Sequence, residues 1–198
     1  TKAKITTHLL EHPERDAIMQ NLNDYGFENA PESNVHIVFV PAYLNGEDGL
    51  LNTTYYQLLS GFDLTIFPSY YEPWGYTPLE SLAYRVPTIT TTLTGMGQWV
   101  KERFPEETAA ISVIERNGGN REDTVREIAS TIQEFLNYSE EELEKLRHNA
   151  WNISHIALWS KMIEHYYEAF HKAATEADKR YNQYEFKEIP KEGTTLTK

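Results

Sequence analysis

No cysteine occurs in the 198 residues. That excludes a disulfide framework and a thiolate metal site, and it favours a reducing compartment. No apolar run approaches the roughly 20 residues of a membrane-spanning helix, and no signal-peptide pattern is present. The expected location is therefore cytoplasmic. Cations are scarce: 18 Lys and Arg stand against 30 Asp and Glu, a net charge of −12 with His neutral. This argues against nucleic-acid partners and against anionic membrane surfaces. The deficit is concentrated early. Residues 1–100 hold four basic residues (Lys2, Lys4, Arg15 and Arg85) against eleven acidic ones. What remains is chain enough for one domain with a sizeable core, or one domain plus an appendage. A chain opening on Thr1 reads as an excised fragment of a longer one.

Short β-branched runs alternate with helical patterns. Ile18, Leu22 and Tyr25 recur at helical spacing within Glu14–Tyr25, and Gly26 stops them. Strands are expected at Val35–Val40, Leu64–Phe67, Pro87–Thr91 and Ala110–Ile114. Helices are expected over Thr53–Ser60, Pro78–Tyr84 and Gly95–Phe104. Connections too long for hairpins imply right-handed βαβ crossovers and a parallel sheet covered on both faces, an α/β fold.

The last third is helical. Val125, Ile128, Ile132 and Phe135 share one face of Glu122–Leu136. Ser139 with Glu142 forms a capping box that opens the next helix, and Trp159–Ala177 is a long amphipathic one. Its aromatics read as packing rather than as a ligand platform. The division expected is 1–120 for the α/β domain, 121–180 for helices packing on it, and 181–198 for a polar tail.

The densest chemistry lies in F-P-S-Y-Y-E-P-W-G-Y-T-P-L-E-S, Phe67–Ser81, where a strand leaves the sheet and feeds a helix. Ligands of open α/β sheets bind beyond the carboxyl ends of the strands. Thr77 as N-cap, Pro78 at the first helical position and Glu80 at the third would make a capping box. On that reading Glu80 serves its own helix. The alternative is that the helix N-terminus receives a phosphate, Gly75 admits a close ligand, and Glu72 and Glu80 grip hydroxyl groups on either side.

This motif resembles the signature of the animal and fungal type of glycogen synthase. So do Val86–Gly97 (V-P-T-I-T-T-T-L-T-G-M-G), Thr6-Thr7-His8 and Pro41–Asn45. The resemblance implies a retaining glucosyltransferase of two Rossmann domains, which extends an α-1,4-glucan from UDP-glucose with no catalytic metal and no further cofactor. This chain would be most of its C-terminal, donor-binding domain, with an N-terminal domain as partner. A fragment of this kind is expected to be inactive alone, and a homo-oligomer is an open possibility.

By the same resemblance Glu80 holds the ribose hydroxyls of UDP, a fitting task for an acceptor-only carboxylate. Glu72 sits near the donor glucose as the catalytic carboxylate. Trp74, Gly75, Tyr76 and Thr77 form the loop at the diphosphate and glucose, and Tyr55 stacks on uracil. Thr94, Gly95 and Gly97 line the same cleft. The family also uses an Arg and a Lys upstream of Thr1. Two other readings stay open: a relative using another nucleotide-glucose, and a non-catalytic nucleotide- or glucan-binding module.

One departure concerns the arginine-rich helix that binds glucose 6-phosphate in animal and fungal members. Its counterpart, Leu143–Trp159, keeps only Arg147, with Asn149 and Asn152 where arginines would stand. That speaks against glucose 6-phosphate activation. His8 and His12, four apart, have no evident third ligand and read as ordinary histidines.

Overall fold

The computed structural model describes residues 4–104 and 110–183. Seven helices and three strands follow in the order α1 (Ala17–Asp24), α2 (Tyr55–Leu59), β1 (Thr65–Ile66), α3 (Tyr76–Ala83), β2 (Thr88–Thr91), α4 (Gly95–Arg103), β3 (Ile111–Ile114), α5 (Arg121–Phe135), α6 (Glu140–Ile156) and α7 (Trp159–Gln183). The strands form one parallel sheet, β1-β2-β3, with Thr65 beside Thr88 and Thr88 beside Ile111. Each parallel neighbour is reached through a helix, as the alternating pattern requires. The fold is α/β and Rossmann-like, flanked by helices that include the C-terminal ones.

All four residues of β2 are buried, as a central strand demands. Beside the sheet, Leu82 of α3, Met96 and Val100 of α4, Ala110, Ile111 of β3, and Ala150 and Ile153 of α6 form one core. Leu82 is fully buried, so truncating it to Ala removes about 2–5 kcal/mol. Arg85 closes α3 in a left-handed conformation (φ 63°). Its N–H donates to the Leu82 carbonyl and that of Val86 to the Ser81 carbonyl, both at 3.0 Å, a Schellman end.

The expected strand Val35–Val40 does not join the sheet. Only a single parallel bridge, Thr6 to Phe39, forms there. Two residues earlier the Asn29 side chain receives the Ile37 N–H (2.8 Å) and donates to the Ile37 carbonyl (2.7 Å). A side chain takes the place of a neighbouring strand, so the β-branched run stays extended without a ladder, and Val35 and Val38 remain exposed.

The Ser139–Glu142 capping box is present: Glu142 N–H donates to Ser139 Oγ, and Glu142 Oε2 accepts from Ser139 N–H at 2.7 Å. The last helix runs on to Gln183, past the expected stop at Ala177, because no Gly or Pro intervenes. No residue of α7 is buried; Trp159, Tyr166 and Phe170 pack on one another along it, with ring centroids 5.0 and 6.1 Å apart. The expected tail lies, from residue 184 on, outside the described residues.

Candidate donor-binding site

Three loops leave the carboxyl ends of the strands: Phe67–Gly75 after β1, Thr92–Thr94 after β2, and the turn after Ile114 of β3. The first two are tied together by backbone. Glu72 N–H donates to the Leu93 carbonyl and Gly95 N–H to the Glu72 carbonyl, both at 3.2 Å, while Met96 N–H donates to the Trp74 carbonyl at 2.7 Å.

The glycines of α4 make this fit possible. A Cβ on Gly95 would collide with the Pro73 carbonyl, and one on Gly97 would collide with the Thr91 carbonyl and lie 2.8 Å from Thr94 Oγ1. Thr94, buried, is the N-cap of α4, and its hydroxyl receives the Gly97 N–H at 2.9 Å. The N-terminus of α4 is thus occupied by protein groups. Thr94, Gly95 and Gly97 support the loop.

The start of α3 differs from the capping-box expectation. Gly75 is the N-cap, in a left-handed conformation (φ 112°, ψ 68°), and no side chain caps the helix. This backbone, natural only for glycine, starts the helix two residues earlier than Thr77 would. Thr77 and Pro78 then fall at the second and third helical positions, and Glu80 lies too far in to cap. The Tyr76 and Thr77 amides are first-turn donors without intrahelical partners, at the positive end of the helix dipole. The Thr77 side chain is exposed beside them.

Released from capping, Glu80 bonds elsewhere. Its Oε1 accepts from the Tyr56 hydroxyl at 2.9 Å. Tyr56 stacks on Tyr84 (centroids 5.5 Å, 8°) and meets Tyr55 edge-on (5.3 Å, 62°). The hydrogen bond to Glu80, followed by that carboxylate's charge, raises the Tyr56 phenol above its usual value of 10.0. Burial, then the Glu80 charge, raises that of Tyr55. Tyr55 and Glu80 are therefore brought to one place across 25 positions of sequence, through a residue that sequence reasoning missed. Only the adjacency of two tyrosines hinted at it.

Glu72 is partly buried, and its carboxylate has no hydrogen bond or ion pair among the described residues. Trp74 turns its ring inward, onto Trp99 (5.8 Å) at the edge of the core, and offers its carbonyl to α4. Tyr76 is exposed. His8 has partners of its own: its Nε2 faces the Asp48 carbonyl at 3.1 Å and the Asp48 carboxylate at 3.7 Å. His12 pairs with Glu14.

A parallel sheet with a glycine-opened helix and, among the described residues, an unpaired carboxylate on the loops beyond its strand ends defines a Rossmann-like fold, with those loops where ligands of open α/β sheets bind. The chain belongs to the glycogen synthase family: the family model described as "Glycogen synthase" matches residues 2–197. Its relatives include glycogen (starch) synthase isoform 1 of Saccharomyces cerevisiae, 29% identical over 168 residues, or 83% of this chain and 24% of the relative. The glycogen (starch) synthase of Caenorhabditis elegans is 32% identical over 148 residues, 74% of this chain and 22% of the relative. The liver form of Mus musculus is 29% identical over 174 residues, 87% and 25%. The chain thus spans about a quarter of the length of these relatives. Among the described residues no helix is long and apolar enough to cross a membrane.

Proposed function

We propose that this chain is the donor-binding part of a cytoplasmic glycogen synthase that transfers glucose from UDP-glucose to the 4-hydroxyl of an α-1,4-glucan with retention. The observation that carries the reading is the convergence of Tyr55 and Glu80 at the flank of α3, whose N-terminus no side chain caps. A flat ring, a carboxylate and free amides suit, in turn, a base, ribose hydroxyls and a diphosphate.

In the transfer, the bond from glucose C1 to the β-phosphate oxygen breaks. The acceptor 4-hydroxyl oxygen bonds to C1 on the same face, and its proton passes to the departing phosphate. Catalysis of this kind is electrostatic, since charge develops on the phosphate. The Tyr76 and Thr77 amides and the Thr77 hydroxyl supply donors there. Glu72, partly buried and unpaired among the described residues, would hold hydroxyls of the donor glucose. Trp74, by its inward ring and its carbonyl bond to α4, sets the loop that presents Gly75. The few cations of the first hundred residues leave the remaining charge compensation to groups outside this chain.

The Arg147 guanidinium lies within 4.0 Å of the carboxylates of Asp63, Glu140 and Glu144. That engagement fits a synthase without glucose 6-phosphate activation.

Calorimetric titration with UDP and ADP side by side tests the reading. Saturable UDP binding that Tyr55→Ala and Glu80→Ala both weaken is expected. UDP affinity indifferent to both variants would overturn it, and a preference for ADP would reassign the donor.

A further inference from the structure

We infer that Arg116 is a positioning residue, which fixes the Pro68–Glu72 strap and through it the carboxylate of Glu72. The inference rests on the donor-binding reading for its consequence in catalysis, but its structural basis is independent. Arg116 follows β3, on the ligand-binding edge of the sheet, and is only 8% exposed. An arginine buried to this degree needs partners for its charge and its N–H groups.

Among the described residues its side-chain contacts point to one segment. Its Nη1 donates to the carbonyl of Pro68, 48 residues away. Its guanidinium carbon lies 3.4 Å from the centroid of the Tyr70 ring, a cation–π contact. The neighbouring rung is built to match: the Thr91 hydroxyl donates to the Ser69 carbonyl at 2.8 Å. Thr92 Oγ1 in turn receives the Arg116 N–H at 3.0 Å, which sets the angle at which the side chain leaves β3.

The segment so held, Pro68 to Glu72, is otherwise poorly anchored. Tyr70 and Tyr71 are 67% and 79% exposed. Glu72 N–H reaches Leu93 only at its far end. Two side-chain bonds and one ring contact therefore hold the strap from Pro68 to Tyr70, and the backbone bonds of Glu72 to Leu93 and Gly95 hold its far end. A free Arg at this edge would be read as a diphosphate ligand. Here the guanidinium is turned to a carbonyl and a ring, so it acts on the site through the loop.

The test is hydrogen exchange of the full-length protein that contains this chain, with UDP titration and steady-state kinetics on the same samples. The variants are Arg116→Met, Arg116→Lys and Tyr70→Leu. Arg116→Met is expected to speed exchange in peptides covering 68–75 roughly tenfold, with the sheet peptides unchanged. It should lower kcat more than it raises the KM for UDP-glucose. Arg116→Lys keeps a charged donor for the Pro68 carbonyl and should restore most of the protection. Tyr70→Leu, which removes only the ring, should give a smaller increase. Unchanged exchange at 68–75 in Arg116→Met overturns the proposal. So does faster exchange spread evenly over β1, β2 and β3, or a lysine variant no better than methionine. If the wild type binds no UDP, the donor-binding reading fails while the exchange pattern still decides the role of Arg116.

Discussion

The Tyr56 hydroxyl donates to Glu80 Oε1 at 2.9 Å, and this bond joins α2 to α3 at the rim of the candidate site. It engages one carboxylate oxygen, and Oε2 has no hydrogen bond among the described residues. The stacking of Tyr56 on Tyr84, just past the end of α3, holds the phenol in place.

Glu80→Ala should lower UDP affinity by about tenfold or more, the worth of a hydrogen bond to a charged acceptor. Tyr56→Phe leaves Glu80 in place but unoriented, so a loss of about threefold is expected. The double variant should be no weaker than Glu80→Ala alone, since Tyr56 acts through that carboxylate. Calorimetry on the four proteins closes the cycle; additive losses would show that Tyr56 contributes by another route.

Tyr55 offers a ring rather than a charge. Replacing it with Ala should remove about 1–3 kcal/mol of UDP binding, whereas Phe keeps the face and most of the affinity. Equal losses in both variants would point to the hydroxyl instead of the ring.

Gly95 and Gly97 separate site effects from fold effects. Gly97→Ala presses on the Thr91 carbonyl of β2 and should destabilise the domain by roughly 1–3 kcal/mol in denaturant melts. Gly95→Ala presses on the Pro73 carbonyl, in the loop itself. Its larger effect should be on UDP affinity, measured on protein that still melts cooperatively.

The capping box of α6 carries a pH signature. The Ser139 hydroxyl, then the Ser139 N–H, holds the Glu142 carboxyl below its ordinary value of 4.5. A carboxyl depressed in the folded state stabilises fully above its unfolded value and loses that contribution as pH falls through the folded one. Ser139→Ala should therefore destabilise the fold more near neutral pH than well below pH 4.5. Thermal melts at both values check this; an equal difference at the two would exclude the carboxyl as the source.

Much of this architecture was legible beforehand because its signals are local. The short β-branched runs at Thr65–Ile66, Thr88–Thr91 and Ile111–Ile114 became strands, and Ser139 with Glu142 capped the helix it precedes. Val35–Val40 carried the same local signal and failed, because a strand needs neighbours and Asn29 supplied a substitute for one. The Thr77–Glu80 spacing satisfied a capping rule, but the left-handed backbone of Gly75 started the helix first.

The sequence by itself determined an acidic α/β domain of the glycogen synthase family, with Phe67–Ser81 as its candidate site. Those conclusions rest on composition, periodicity and a contiguous motif, all readable along one dimension. Only the tertiary structure decided that Glu80 faces Tyr56 instead of its own helix end, that α4 spends its N-terminus on the Glu72 loop, and that Arg116 reaches back to Pro68 and Tyr70. Each of these depends on where a side chain or a glycine backbone meets a segment distant in the chain. The order of residues does not contain that distance until the sheet has formed.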